Sequence, residues 1–263
     1  MATIQLGMTD CPVVRELLNN QQIDLDYLEV HGPYVENARQ VYPQKPMLLH
    51  NSLYQWSLTH ADGLKHKNAD QVTVERLAIA DSPWYSLHLG FSSSKVDFID
   101  EAMVAISPQQ SRAFVFERSC FVLNQLINLL DVPVLIENLD YNPTGAYEYV
   151  CETDFINQVL DKTGAYLLLD LAHAQVTAAA FGLDVRDYLY QLPLDRVRQI
   201  HLNRPGYRNG RLVDSHLDLL AEDYRLLEEI LQKTSPWAVT LEYNRETNKA
   251  VDQIGRLREI ITA

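Results

Sequence analysis

Eight short apolar, β-branched runs, each carrying an ionisable residue at or near its end in all but the first case, constrain this chain most. They are TIQL (3–6), DLDYLEV (24–30), PMLLH (46–50), WYSLHL (84–89), VPVLIEN (132–138), AYLLLDL (165–171), VRQIHL (197–202) and WAVTLEY (237–243). Their length, composition and bounding turn signals read as strands. Helical patterns lie between most of them, among others at 12–20, 111–130, 153–162 and 219–233. Strands alternating with helices form right-handed βαβ units, and eight such units predict closure into a (β/α)8 TIM barrel. An open doubly wound sheet is the rival fold, but it usually carries a glycine-rich turn after its first strand, and Gly7 stands alone in QLGMTD.

The length of 263 residues is close to the roughly 250 typical of such a barrel, and 47% apolar content can fill its core. No composition shift or linker divides the chain, so 1–263 reads as a single domain, with the polar stretches 58–72 and 203–216 as loops inside it.

The ionisable ends are Glu29 and His31 after the second run, then His50, His88, Glu137, Asp170, His201 and Glu242 in successive runs. A parallel strand is buried on both faces, so each such group costs several kcal/mol unless it is paired or metal-bound. For any one of them a hydrogen-bonded core residue is the ordinary explanation. Repetition at the same end of successive strands points instead to one shared mouth, where barrels of this kind place their chemistry.

Two further pairs belong with them, Asp170 with His173 in LLLDLAHAQ and Asp214 with His216 in LVDSHLD. The i, i+2 spacing of DSH in an extended segment turns both side chains to one side, although Asp in such positions also serves as a cap or turn residue. Together His50, His88, Glu137, Asp170, His173, His201, Asp214, His216 and Glu242 offer nine nitrogen and oxygen ligands and no thiolate. That set suits Fe(II), Fe(III), Mn(II) or Zn(II) and exceeds what one ion takes, so two or three metal ions are expected, with Glu137 as the bridging carboxylate. His60 and His66 lie in a polar loop and are expected to face solvent.

Composition narrows the partners. A formal net charge of −13 repels a phosphate backbone, so no nucleic acid is expected. The start MATIQLGMTDCPVV lacks a signal-peptide pattern and no apolar run approaches a membrane span, so the expected setting is soluble and cytoplasmic. Cys11, Cys120 and Cys151 are too scattered for a metal motif and read as reduced, packed thiols.

From LEVHGPY (28–34) through LLHNSL, SLHLGF, IENLDY, LLLDLAHAQ, IHLNRPG and DSHLDLL to TLEYN (240–244), the sequence resembles the DUF692 family. These are the multinuclear non-heme iron-dependent oxidases, within the xylose-isomerase-like barrel superfamily. The resemblance implies mixed-valent iron and O2 acting on cysteine or nearby residues of small ribosomal peptides, or on a related small thiol. Hydrogen would be abstracted next to sulfur, often beside a partner protein that presents the peptide. It implies one ion near His50, His88 and Glu137, a second near Glu137, Asp170, His201 and Glu242, and a third at His173, Asp214 and His216. Glu137, Asp170 and Asp214 would carry catalysis. Asn138 would orient this shell or merely satisfy backbone groups, and Glu29, His31, Tyr34 and Tyr141 are mouth candidates for binding or for ordinary packing.

Two departures bear on the substrate. Leu87 precedes His88 where an acidic residue is common in the family, and NRPGYRNGR (203–211) replaces a short glycine-rich stretch. No added C-terminal domain is expected to grip a leader peptide, so a separate partner is expected if the substrate is a peptide. The rival activities are an endonuclease IV-like phosphodiester hydrolase, which needs a basic groove, and a sugar isomerase or epimerase, which uses fewer histidines. A metal-binding scaffold without turnover is the non-enzymatic alternative.

Overall fold

Alternation along each strand sorts the side chains into two sets, and the barrel follows from it. The computed structural model describes residues 3–51, 57–99 and 102–262. Its strands are β1 (Gln5–Thr9), β2 (Tyr27–His31), β3 (Met47–His50), β4 (Tyr85–His88), β5 (Val96–Ile99), β6 (Ala102–Ala105), β7 (Val134–Glu137), β8 (Tyr166–Asp170), β9 (Val197–Leu202), β10 (Arg204–Arg208), β11 (Arg211–Leu217) and β12 (Ala238–Leu241). The helices are α1 (Pro12–Asn19), α2 (Val35–Val41), α3 (Ala69–Ala80), α4 (Arg112–Leu129), α5 (Thr153–Thr163), α6 (Leu171–Phe181), α7 (Val185–Leu189), α8 (Ala221–Leu231) and α9 (Thr247–Thr262). Strands β1, β2, β3, β4, β7, β8, β9 and β12 close in that order into a parallel barrel, β12 pairing back on β1.

One face of the strands, with Leu6, Met8, Val30, Leu49, Ile136 and Leu169 among its residues, belongs to the main apolar core with the helices. The other alternation runs through the barrel in layers. At the floor Tyr27, Leu48, Trp84, Leu135, Leu168 and Ala238 form a separate apolar cluster. Above it lie the polar, fully buried Glu29, Ser86, Gln199 and Thr240. The ionisable ring comes last. Register keeps its members level, with His31 opposite His50, His88 opposite Glu137, and Asp170 opposite His201.

Gly7 has its own role in this interior, because a Cβ there would lie 2.2 Å from the Tyr27 ring. Its bare backbone lets that ring cross the floor, where the Tyr27 hydroxyl meets Thr240 Oγ1 at 2.8 Å.

Several segments depart from expectation. The second strand starts at Tyr27 because the Asp26 carboxylate turns back to accept the Leu6 amide at 2.7 Å and to pair with Arg258 at 2.6 Å. The sixth ends at Asp170, whose side chain caps α6. The 58–72 stretch contains a 3-10 helix, Gly63–Asn68, and the start of α3. The 203–216 stretch is the antiparallel β10–β11 hairpin, turned by Asn209 (φ 48°) and Gly210 (φ 78°). That left-handed pair is the type I′ signature of Asn-Gly, which the polar composition concealed. A second hairpin, β5–β6, was also unforeseen. No helix among the described residues is long and apolar enough to cross a membrane.

Candidate metal centre

Glu137, 2% exposed at the end of β7, divides its two carboxylate oxygens between two groups of imidazoles. Oε2 lies 3.2 Å from His50 Nε2 and 3.1 Å from His88 Nε2. Oε1 lies 3.3 Å from His201 Nδ1 and 3.4 Å from His173 Nδ1. Glu242, just past β12, repeats the division, with Oε1 3.5 Å from His201 Nδ1 and Oε2 3.8 Å from His216 Nε2. Asp214 Oδ2 on β11 then stands 2.7 Å from His216 Nε2 and 3.8 Å from His173 Nε2. All nine expected ligands therefore surround one mouth, including those delivered by the hairpin.

Local structure aims each group. The His50 ring meets Ser86 Oγ through Nδ1 at 2.9 Å, which turns Nε2 toward Glu137 and the Asn51 side-chain amide, 3.1 Å from Nδ2. His173 Nδ1 donates to the Asn138 carbonyl at 2.9 Å, leaving Nε2 toward Asp214. Asn138 clasps Asp170, donating through Nδ2 to its carbonyl and accepting its amide through Oδ1, both at 2.9 Å. Its side chain thus satisfies backbone groups and in doing so fixes Asp170. Asp170 Oδ1 accepts the His173 amide at 2.6 Å as the α6 cap, while Oδ2 has no hydrogen bond. His216 sits at φ 46°, so the DSH segment is not fully extended at its last residue.

The residues fit a metal. Glu137 Oε2, Asp170 Oδ2, His201 Nδ1 and Asp214 Oδ1 are all buried without a hydrogen-bond partner. Each such atom costs about 1–3 kcal/mol, more when charged, so four converging on one mouth call for a cation. Three groups have ligand atoms within 4.8 Å of one another: His50, His88 and Glu137; Glu137, Asp170 and His173; and Glu29, His201 and Glu242, of which Glu29 lies beneath the mouth against His201 Nε2. Nitrogen and carboxylate donors suit iron, manganese or zinc.

Charge follows the same arrangement. Burial raises the Glu137 carboxyl, but His88, His201 and His50 outweigh it and hold it well below its ordinary range. Burial, then the carboxylates of Glu242, Glu137 and Asp214, push Asp170 up to about 7 against the pull of His173. Burial lowers His201, but Glu29, Glu242 and Glu137 carry it well above its usual value. Burial, with His50 beside it, brings His31 down to about 4.

The mouth opens into a cavity of about 440 Å³ lined by His31, His88, Asp140, Tyr147, Tyr243 and Cys11, with His50, Glu137, His173, Asp214, His216 and Glu242, while Asp170 and His201 lie behind its wall. His31 is thus at the mouth, its ring centroid 5.5 Å from that of His50. Glu29 is not; it is fully buried one layer down, 2.8 Å from His201 Nε2. Tyr34 is 63% exposed, and Tyr141 donates to Glu148 and lines a neighbouring groove. His60 and His66 are half-buried and stacked on each other, away from solvent in part. Cys120 and Cys151 are buried free thiols, whereas Cys11 borders the cavity. Sequence reasoning missed Asp140, whose carboxyl burial raises to about 6, and Gln199, which donates to Glu29 and Thr240. Asp140 follows Glu137 by three residues in IENLDY, a signal that was available.

A UPF0276 protein of Caulobacter vibrioides is 27% identical over 268 residues, covering 94% of this chain and 89% of its own. The structure resembles a xylose isomerase domain containing protein of Salmonella typhimurium, with TM-score 0.66, 10% identity and complete coverage (100%) of both chains. It also resembles endonuclease IV of Thermus thermophilus, with TM-score 0.62 and 18% identity over 98% of this chain and 99% of that one. These structural likenesses concern the fold alone, the closed parallel (β/α)8 barrel. Residues 12–262 match the family described as RiPP precursor modification enzyme MbnB/TglH/ChrH, and the chain belongs to that family.

Proposed function

We propose that the protein is a multinuclear non-heme iron-dependent oxidase that uses O2 to modify a cysteine-containing, ribosomally made peptide or a related small thiol. The observation that carries this is the division of Glu137, whose Oε2 faces Nε2 of His50 and of His88 while Oε1 faces His201 Nδ1; His173, whose Nδ1 donates to the Asn138 carbonyl, offers Nε2 on the Asp214 side instead. A carboxylate so placed would serve an ion on each of its sides, and Glu242 between His201 and His216 would extend the donor set toward a third. Iron held there supplies the one-electron and O2 chemistry that side chains alone lack.

The chain's own residues set the rest. Glu29 turns the His201 ring, Asn138 fixes Asp170 and His173, and Ser86 turns His50. Glu137, Asp170 and Asp214 carry catalysis by fixing metal spacing and charge. His31 and Asp140, on the cavity wall, contact the substrate. A peptide-presenting partner protein delivers it. The likeness to endonuclease IV does not favour phosphodiester hydrolysis, because a net charge of −13 opposes a nucleic acid backbone.

The test is O2 uptake by anaerobically purified, iron-loaded protein on addition of a cysteine-containing peptide, with the peptide's mass followed in parallel. Uptake coupled to a mass change is expected. Native zinc accompanied by phosphodiesterase activity contradicts the proposal.

A further inference from the structure

A second cluster of metal-ligating side chains lies outside the barrel mouth, in the turn between β3 and α3. His60, Asp62 and His66 each offer one ligand atom, all within 4.8 Å of one another. The two imidazole rings stack with centroids 3.8 Å apart and planes 26° from parallel. His60 Nδ1 is 3.8 Å from the Asp62 carboxylate and accepts the Asp62 amide at 3.1 Å. A cation seated among the three replaces that one exposed hydrogen bond and swings the stacked rings apart so that their in-plane nitrogen lone pairs converge.

The turn is built to hold this shape. Arg118 on α4 donates to the His60 carbonyl at 3.1 and 2.9 Å and to the Ala61 carbonyl at 2.8 Å. Gly63 passes beneath at φ +52°, where a Cβ would fall 2.5 Å from Arg118 Nη2. Lys67 and Asn68 follow at φ 51° and 55°, a left-handed pair that side chains disfavour and that turns His66 back on His60. Upstream, Ser57 Oγ accepts the Phe91 amide at 3.0 Å, and the Thr59 hydroxyl donates to the Phe91 carbonyl. The turn is thus fastened to the exit of β4, the strand that carries His88.

We propose that His60, Asp62 and His66 form a peripheral divalent-cation site of the zinc type, completed by water, which pins this turn against α4 and the exit of β4. Two imidazole nitrogens and one carboxylate suit Zn2+, Ni2+ or Cu2+, whereas Mg2+ and Ca2+ favour all-oxygen shells. The site shares no ligand with the mouth and does not depend on the oxidase proposal.

Chelator-stripped protein dialysed against Zn2+ tests it, with zinc counted per chain. His60→Ala/His66→Ala is expected to bind one equivalent fewer than the parent protein, and Glu137→Gln to retain that equivalent. Asp62→Asn leaves both rings in place on an exposed residue and is expected to weaken this equivalent at least tenfold, which keeps the test valid if the double variant folds poorly. Equal counts and affinities in the parent and both turn variants overturn the proposal. Loss of the equivalent with iron-dependent O2 uptake retained separates this site from the centre in the mouth.

Discussion

The carboxylate of Glu29 receives the Nε2–H of His201 at 2.8 Å, and the opposite nitrogen of the same ring, Nδ1, faces Glu137 at 3.3 Å and Glu242 at 3.5 Å. Burial raises the Glu29 carboxyl, but His201, then His50 and His31, outweigh it and hold it at about 2. An ionised carboxylate needs a donor, so the proton sits on Nε2 and the lone pair of Nδ1 is the one offered to a metal. Glu29 is therefore a positioning residue beneath the centre.

Replacing it tests that role. Glu29→Gln is expected to lower metal affinity about 10–100-fold, the usual effect of losing such a partner, while the barrel stays folded. Competition with a chromophoric chelator measures it. Unchanged affinity would show that the His201 ring is held by something else.

The same pair makes stability depend on pH in the metal-free protein. Glu29 falls from an ordinary 4.5 to about 2 on folding, so its contribution is present above 4.5 and is lost as pH drops toward 2. His201 rises well above 6.5, so its contribution is present below 6.5 and is lost as pH climbs through the raised value. Metal-free protein is thus expected to lose stability, relative to Glu29→Gln, on the alkaline side of 6.5. Melting curves of both proteins from pH 5 to 9 check this, and parallel curves would refute it.

Gly7→Ala probes the floor. The added methyl collides with the Tyr27 ring, whose hydroxyl meets Thr240, and Thr240 in turn donates to Glu29 at 3.3 Å. Overpacking of this kind costs about 1–3 kcal/mol, and here it should also disturb the pair above it. Urea denaturation is expected to show the loss; a wild-type midpoint would mean that the ring moves aside freely.

These residues also mark how far sequence alone reaches. The barrel was legible, and so was the gathering of ionisable groups at one end of it, because a doubly buried strand holds such groups only at a cost, as at His50 and Glu137. Depth was not. Glu29 precedes His31 by two residues, which is about 6.6 Å along a strand, and that places it beneath the centre rather than at its mouth. Gln199 was invisible because a neutral amide leaves no charge signal. Tyr34 and Tyr141 sit in connections whose direction depends on packing, and neither reaches the cavity. The β10–β11 hairpin was missed although Asn209 and Gly210 announce it, because its polar strands do not alternate as a half-buried pair would.

The bridging position of Glu137 is the centre of the proposed function, and the metal content of anaerobically purified protein, compared between wild type and Glu137→Gln, tests it most directly. An amide is a weaker ligand than a carboxylate and cannot supply two anionic oxygens to two ions. About two to three irons per chain are expected in the wild type, by the ligand capacity of its nine donors, and at least one fewer in the variant. An unchanged count in Glu137→Gln, or a single ion in the wild type, would contradict it.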